Sequence, residues 1–210
     1  MSSDGRRTVE LTDEEQVLFQ TLLDAASQAK LGTTLRCAGG WVRDKLMGRE
    51  SSDIDIALDD MLGSAFAGVV NAHLQSAGQS VRGVAVIASN PEQSKHLETA
   101  RMRVNGIWLD LFGTPEQDAL RRDFTINALF YNLGTRTVED LTGRGLEDLE
   151  RGLIRTPLPP RQTLLDDPLR ALRAVRFAAR FGFELEEGLT RAMSDPEVCS
   201  GGVRRERAIA

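Results

Sequence analysis

Asp53 and Asp55 stand two residues apart in SSDIDIALDD, residues 51–60, inside a stretch that otherwise reads as a β-strand. Side chains alternate faces along a strand, so the two carboxylates share one face while Ile54 and Ile56 share the other. Like charges on one face repel, and burying them unpaired costs on the order of several kcal/mol. What such a pair can do is hold hard divalent cations, Mg²⁺ above all, which prefer oxygen ligands. A third carboxylate on a neighbouring strand would complete a two-metal site. Asp110 fits that part, because in GIWLDLF (residues 106–112) it shares its face with Trp108 and Phe112. Two ions about 3.5–4 Å apart clamp the attacking and leaving oxygens of a phosphoryl displacement. A DxD by itself is more often an ordinary solvated strand edge, so the surrounding residues have to decide.

The stretch AGGWVRD, residues 38–44, sits just upstream. Gly39 and Gly40 fall between a strand and a helix start, where glycine permits close backbone approach and a helix N-terminus offers N–H groups to phosphate oxygens. Arg43 follows within the first turn, able to reach the same phosphates. Beside the DxD strand, this turn reads as a triphosphate cradle facing a metal site. It is not a Walker A loop, which needs a Gly-Lys-Ser/Thr that the chain lacks.

The elements that must position these residues follow from patterning. Thr12-Asp-Glu-Glu15 is a capping box ahead of Val17, Leu18, Leu22 and Leu23, predicting a helix over about 13–30. A short strand is expected over 35–38, a helix over 41–47, the acidic strand over 53–58 and a helix over 61–75. VRGVAVIAS and HLETARMRVNGIWLDLF supply about three further strands, the last two joined at Asn105-Gly106, a type I′ hairpin signal. Beyond Gly113 the texture changes. Residues 124–131 read as helix, 137–141 as extended, Pro157–Pro160 as a break, and everything from Thr163 as helix. Asp167-Pro168 marks a helix start, with Leu169, Leu172, Val175 and Ala179 as its apolar stripe. The expected organisation is a mixed α/β unit followed by an all-helical region.

Composition narrows the class without choosing a function. The 210 residues are 41% hydrophobic and 27% charged, as in an ordinary globular protein. No apolar run reaches about 18 residues, so no membrane span is expected. The first residues carry early acids and no apolar core, so neither a secretory nor an organellar signal is expected. Cys37 and Cys199 are too few for a disulfide framework, which fits a reducing, intracellular compartment. A net charge of −5 argues against a protein that coats nucleic acid, but not against one that handles a single RNA end. Local basic clusters at Arg121–Arg122 and at Arg170, Arg173 and Arg176 serve that purpose.

Taken together, GGxVRD, the DxD strand, RRDFTINAL (121–129) and DDPLRALRAVRFAARF (166–181) resemble the class II nucleotidyltransferases. These are the tRNA CCA-adding enzymes and the bacterial-type poly(A) polymerases. HLETARMR, FGTPEQDALRRDFTINALFYN, VEDLTGRGLEDL and RTPLPPRQTLLDDPLR look most like the eukaryotic CCA-adding enzymes. The resemblance spans nearly everything from about residue 33. It implies an α+β fold: a polymerase-β-like nucleotidyltransferase palm, mixed sheet with flanking helices, followed by the start of an all-helical neck. The implied division is an N-terminal helical extension (1–32), a palm or head domain (33–155) and an incomplete neck (156–210).

The resemblance also implies roles. Asp53 and Asp55 would hold two Mg²⁺ ions, with Asp110 as third acid. Gly39, Gly40 and Arg43 would contact the triphosphate. Arg122 and Asp123 would meet the nucleotide's sugar or phosphates, with Asn127 nearby. Asp167 and Arg170 would read the base, supported by Arg173 and Arg176. The chemistry of that last pair is coherent. Cytosine and adenine each offer an amino donor beside a ring-nitrogen acceptor, and a carboxylate next to a guanidinium matches both. Guanine and uracil set a carbonyl against the carboxylate, and unpaired buried polar groups discriminate by up to about 10⁴–10⁵. The implied partners are the tRNA 3′ end, CTP and ATP, with no membrane; oligomeric state is not readable. Neither His73 nor His96 is needed.

Two departures from the family pattern stand out. Members continue the strand after the third acid, typically as DFVNLR, through a longer segment before FGTPEQDA. Here LDLFGTPEQDA joins them directly, which is expected to shorten the strand that carries Asp110. Near the other end, Glu206 and Arg207 match the start of an ERxxxE-like motif whose second acid is not present. The expected activity is template-independent addition of C and A to the tRNA 3′ end. A poly(A) polymerase would instead take up ATP but not CTP. A catalytically inactive fragment would bind nucleotide or RNA without turnover, and a piece with no independent role would fold poorly alone.

Overall fold

The computed structural model describes residues 9–51, 53–81, 83–87 and 98–199. Contacts divide the chain into two units. One runs to Pro115 and adds Phe130–Glu139; the other takes Glu116–Leu129 and the described residues from Asp140 onward.

The first unit is built on a seven-stranded sheet ordered β3-β4-β5-β2-β1-β6-β7. Its strands are β1 (Leu35–Ala38), β2 (Ile54–Leu58), β3 (Ala85–Ile87), β4 (Thr99–Val104), β5 (Ile107–Gly113), β6 (Leu129–Asn132) and β7 (Thr137–Asp140). The sheet is mixed: β2 runs parallel to β5, whereas β1 is antiparallel to both β2 and β6. β4 is antiparallel to β3 and to β5. Alternation sets the two faces of the β4–β5 pair. Ala100, Met102, Val104, Leu109 and Leu111 are buried, while Arg101 and Trp108 on the other face are exposed.

Three helices accompany this sheet: α1 (Asp13–Gln28), α2 (Gly40–Leu46) and α3 (Gly63–Ser76). α3 packs on β4 and β5 and against α1. The approach of α3 is so close that a Cβ on Gly63 would lie 2.0 Å from the Leu111 carbonyl oxygen. The capping box forms as the sequence predicts: Thr12 Oγ1 accepts from Glu15 N at 3.2 Å, and Glu15 Oε2 accepts from Thr12 N at 2.8 Å. Glu15 is itself buried and does more. Its other oxygen accepts from Trp41 Nε1 at 2.8 Å and Lys45 Nζ lies 2.9 Å from Oε2, so one cap residue ties α1 to α2.

The second unit holds α4 (Pro115–Arg121) apart from its first residue, a 3₁₀ turn (Thr125–Asn127), α5 (Gly145–Arg151), α6 (Pro160–Asp166), α7 (Leu169–Phe181) and α8 (Glu187–Met193). A small parallel ladder joins β8 (Leu153–Ile154) to β9 (Glu184–Leu185). Phe124, Phe177, Phe181 and Phe183 form a chain of ring contacts with centroids 5.5–5.6 Å apart.

Several expectations change. Residues 124–131 are not a helix. The chain makes the 3₁₀ turn and then enters β6, because Leu129–Asn132 is buried throughout, and a short buried run without alternation suits a central strand as well as a helix. The helical run from Thr163 is interrupted by β9, and α6 begins earlier, at Pro160. The stripe of α7 is also reversed: Leu169, Leu172 and Val175 are exposed at 46%, 63% and 51%, and the helix buries Ala174 and Phe177 instead. The strand bearing Asp110 is not cut short. Phe112 and Gly113 pair with Ala57 and Leu58, and Thr114 N donates to Leu58 O at 2.9 Å, so FGT completes the strand. Within VRGVAVIAS, residues 85–87 are strand; Arg82, Ala88 and Ser89 lie outside the described residues, as do His96 and the Glu206–Arg207 motif.

Candidate active site

In the first unit the open face of β2 and β5 carries the acids. Asp55 and Asp110 are register partners across the parallel pair, which sets their side chains beside each other on one face. Asp53 lies one residue before β2 and is exposed. All three line a cleft of about 390 Å³, together with Arg101 and Trp108. Asp110 Oδ1 is buried and accepts no hydrogen bond; the nearest cation, Arg101 Nε, is 3.6 Å away. Among the described residues, no three acid, histidine or cysteine side chains are drawn into a ready metal cluster. The donor set nonetheless suits a hard cation: carboxylate oxygens on one face, one of them desolvated and without a hydrogen-bond donor.

The glycine turn precedes α2 as expected. Gly39 caps the helix at φ 75°, ψ −129°, a backbone conformation that favours glycine, and Gly40 is the first helical residue. Arg43 folds back over Gly40, its Nη2 3.5 Å from where a Cβ would sit. It is 4% exposed and salt-bridged to Asp44 at 2.7 Å. The turn therefore holds Arg43 rigidly against the chain rather than extending it into solvent.

In the second unit the residues expected to meet the nucleotide form one hydrogen-bonded cluster. Asp123 Oδ1 accepts from Phe124 N and from Asn127 Nδ2, both at 2.8 Å. Its Oδ2 receives a fork from Arg173, at 2.8 Å from Nε and 2.6 Å from Nη2. Arg122 is held by Asp118 at 2.6 Å and by the Asn127 carbonyl at 3.1 Å. Asp123, Asn127 and Arg173 thus fix one another, and the fork pins α7 to the 3₁₀ turn. Asp167 and Arg170 are neighbours across one helical turn, with Arg170 Nε 3.8 Å from Asp167 Oδ2. Asp167 Oδ1 also accepts from Leu169 N at 3.2 Å. Arg176 is exposed and lies over Phe177 at 5.5 Å. Beneath this cluster, burial pushes the Asp148 carboxyl up from its ordinary value, although Thr125 donates to it at 2.6 Å.

A family model, the poly A polymerase head domain, matches residues 35–155, more than half of the chain. The chain belongs to this family. Among curated relatives, the chain is 44% identical to "CCA tRNA nucleotidyltransferase, mitochondrial" of Candida glabrata, over 90% of the chain and 41% of that protein. It is 48% identical to the protein of the same name from Saccharomyces cerevisiae, over 79% of the chain and 34% of that protein. The chain thus spans about two fifths or less of these relatives. Among solved structures it resembles the Thermotoga maritima CCA-adding enzyme complexed with tRNA, with a TM-score of 0.74 at 29% identity, covering 93% of this chain and 44% of that one. A CCA-adding enzyme with CTP gives a TM-score of 0.69 at 29% identity, covering 87% and 41%. The mixed sheet with flanking helices expected from the sequence is the architecture of this head domain.

The sequence reading set Trp108 on the Asp110 face but gave Arg101, the other residue of the acid cleft, no part. The signal was present. Counting outward from the Asn105-Gly106 turn, whose φ values are 49° and 87°, sets Arg103 opposite Trp108 and Arg101 opposite Asp110.

Proposed function

We propose that this chain carries the catalytic head, residues 33–155, and part of the neck, from 156 onward, of a template-independent nucleotidyltransferase that adds C and A to the tRNA 3′ end from CTP and ATP. The observation that carries the reading is the Asp55–Asp110 register pair facing an open cleft, since nothing in the packing of a sheet calls for two carboxylates side by side. The names of the relatives supply the substrates, and mitochondrial in two of those names points to an intracellular site of action.

Asp53 and Asp55, with Asp110, are the residues that would hold Mg²⁺, whose chemistry here is to lower the pKa of a hydroxyl and neutralise phosphate charge. The chain's own groups do the rest. The Gly39–Gly40 turn lets a polyphosphate approach the backbone, and Arg43 supplies a fixed positive charge beside it. Asp167 and Arg170 present acceptor then donors to the amino and ring-nitrogen edge of C or A. The fork from Arg173 to Asp123 keeps α7, and with it Arg170, in one orientation relative to the 3₁₀ turn.

The test uses the chain as it stands, with Mg²⁺, a tRNA lacking its terminal CCA, and each labelled nucleoside triphosphate singly and in pairs. Ordered uptake of CTP then ATP, with UTP and GTP refused, is the expected result. Uptake of ATP alone would make it a poly(A) polymerase. A second reading is binding without turnover, in which Arg101, 3.6 Å from Asp110, takes the place of a cation at the acid. CTP binding with no incorporation would establish it.

A further inference from the structure

Trp108 is half exposed, unlike Trp41, which is 1% exposed in the core. Leaving a large indole in water forgoes apolar burial, so its position calls for a reason. Its ring is flanked by two guanidinium groups, the Arg101 carbon 5.3 Å and the Arg103 carbon 5.9 Å from the ring centroid. Arg103 is the cross-strand partner of Trp108 and is anchored by donating from Nε to the Gly106 carbonyl at 2.7 Å. Arg101 is the cross-strand partner of Asp110. A flat aromatic face, two cations and a phosphoryl-transfer acid therefore share one patch of β4 and β5.

Strand order says what this patch faces. The sequence β4-β5-β2-β1 puts Arg101, Arg103 and Trp108 on one flank of the acid strands and the Gly39–Gly40 turn, which follows β1, on the other. A two-substrate transfer brings its partners in from opposite sides of the reacting centre. The glycine turn suits a polyphosphate, which leaves the indole flank for the accepting strand. Trp108 and Arg101 also line a second cleft of about 600 Å³ with Glu14, Glu50 and Asp53, so an entering polyanion meets its positive charge there at Arg101.

We propose that Trp108, braced by Arg101 and Arg103, is a stacking shelf for the terminal base of a single-stranded RNA 3′ end, with the two arginines taking its phosphates. The proposal rests on the nucleotidyl-transfer reading but is tested apart from it. Aromatic stacking accepts any base, as a shelf must when the terminal nucleotide changes at each addition, and is worth about 1–3 kcal/mol per base. That energy corresponds to about 5–150-fold in affinity.

The measurement is the affinity of the 210-residue chain for a fluorescein-labelled single-stranded oligoribonucleotide ending in CC, with no triphosphate present, alongside its affinity for CTP. Trp108→Ala is expected to weaken the oligoribonucleotide about 5–150-fold, Trp108→Phe to restore most of it, and CTP affinity to stay unchanged. A thermal melt of each variant checks folding, and the Phe variant keeps the test open if the Ala variant unfolds. The proposal is overturned if the parent chain does not bind the oligoribonucleotide or if Trp108→Ala binds it as well as the parent. It is equally overturned if CTP affinity falls along with RNA affinity, which would assign the indole to the incoming nucleotide. Since no turnover is read, a chain that incorporates nothing but shows the expected binding pattern loses the transferase reading and keeps the shelf.

Discussion

At the scale of single residues, the proposed function opposes stability. Asp55 and Asp110 sit directly across a strand pair, where like charges destabilise by about 0.2–1 kcal/mol. Asp55→Asn is therefore expected to hold or raise the thermal midpoint, by about 1–4 °C for a chain of this size. On the proposed function, the same substitution is expected to reduce nucleotide incorporation by at least about 10³-fold, since it would remove an anionic ligand from the candidate metal site. A calorimetric melt beside the incorporation assay checks both halves. A variant that lost stability and activity together would show Asp55 to be a structural carboxylate. Arg43 shows the complementary case: its type and place were plain from GGWVRD, but its burial against Asp44 was not, because that depends on how α2 docks.

At the scale of elements, two glycines in one helix separate close approach from flexibility. Gly63 opens α3 where the helix meets β5, and a Cβ there would stand 2.0 Å from the Leu111 oxygen and 2.6 Å from its carbonyl carbon. Backbone cannot yield to that contact without shifting α3 off the sheet. Gly63→Ala is expected to cost about 3 kcal/mol or more, beyond the usual range for a single methyl. Gly68, midway along the same helix, has nothing within 4 Å of its Cβ position. Gly68→Ala is expected to stabilise by about 0.5–1 kcal/mol, through helix propensity and a less flexible unfolded chain. Urea unfolding of the two variants gives opposite signs if α3 packs as described. Most elements were legible in the chain: the capping box, β1, and the Asn-Gly hairpin all come from signals within a few residues. The strand β6 was not, because LFYN shows no alternation of apolar and polar residues, is buried at every position, and only its pairing with β1 distinguishes strand from helix.

At the scale of the whole molecule, the reversed face of α7 matters most. Leu169, Leu172 and Val175 recur at helical spacing, and periodicity alone marks them as core. In the second unit the helix instead buries Ala174 and Phe177, with Phe177 against Phe124 at 5.6 Å. Leu172→Gln is accordingly expected to change the unfolding free energy by no more than about 0.5 kcal/mol, as at any exposed position. Phe177→Ala in the same helix is expected to cost about 3–5 kcal/mol. Equal losses at the two positions in chemical denaturation would contradict the burial described.

By itself the sequence determined much of the local frame: where acids fall at strand spacing, where glycine turns the chain, and where the capped helix α1 and the Asn-Gly hairpin form. These depend on the period of a strand, the reach of a cap and the φ a turn requires, all set within a few residues. Tertiary structure alone decided what stands opposite what. The pairing of Asp55 with Asp110, the completion of β5 by FGT, the seclusion of Arg43 and the buried side of α7 all come from contacts between distant residues. A pattern of apolar and polar residues says that a surface can be covered; only the packed chain says which surface is.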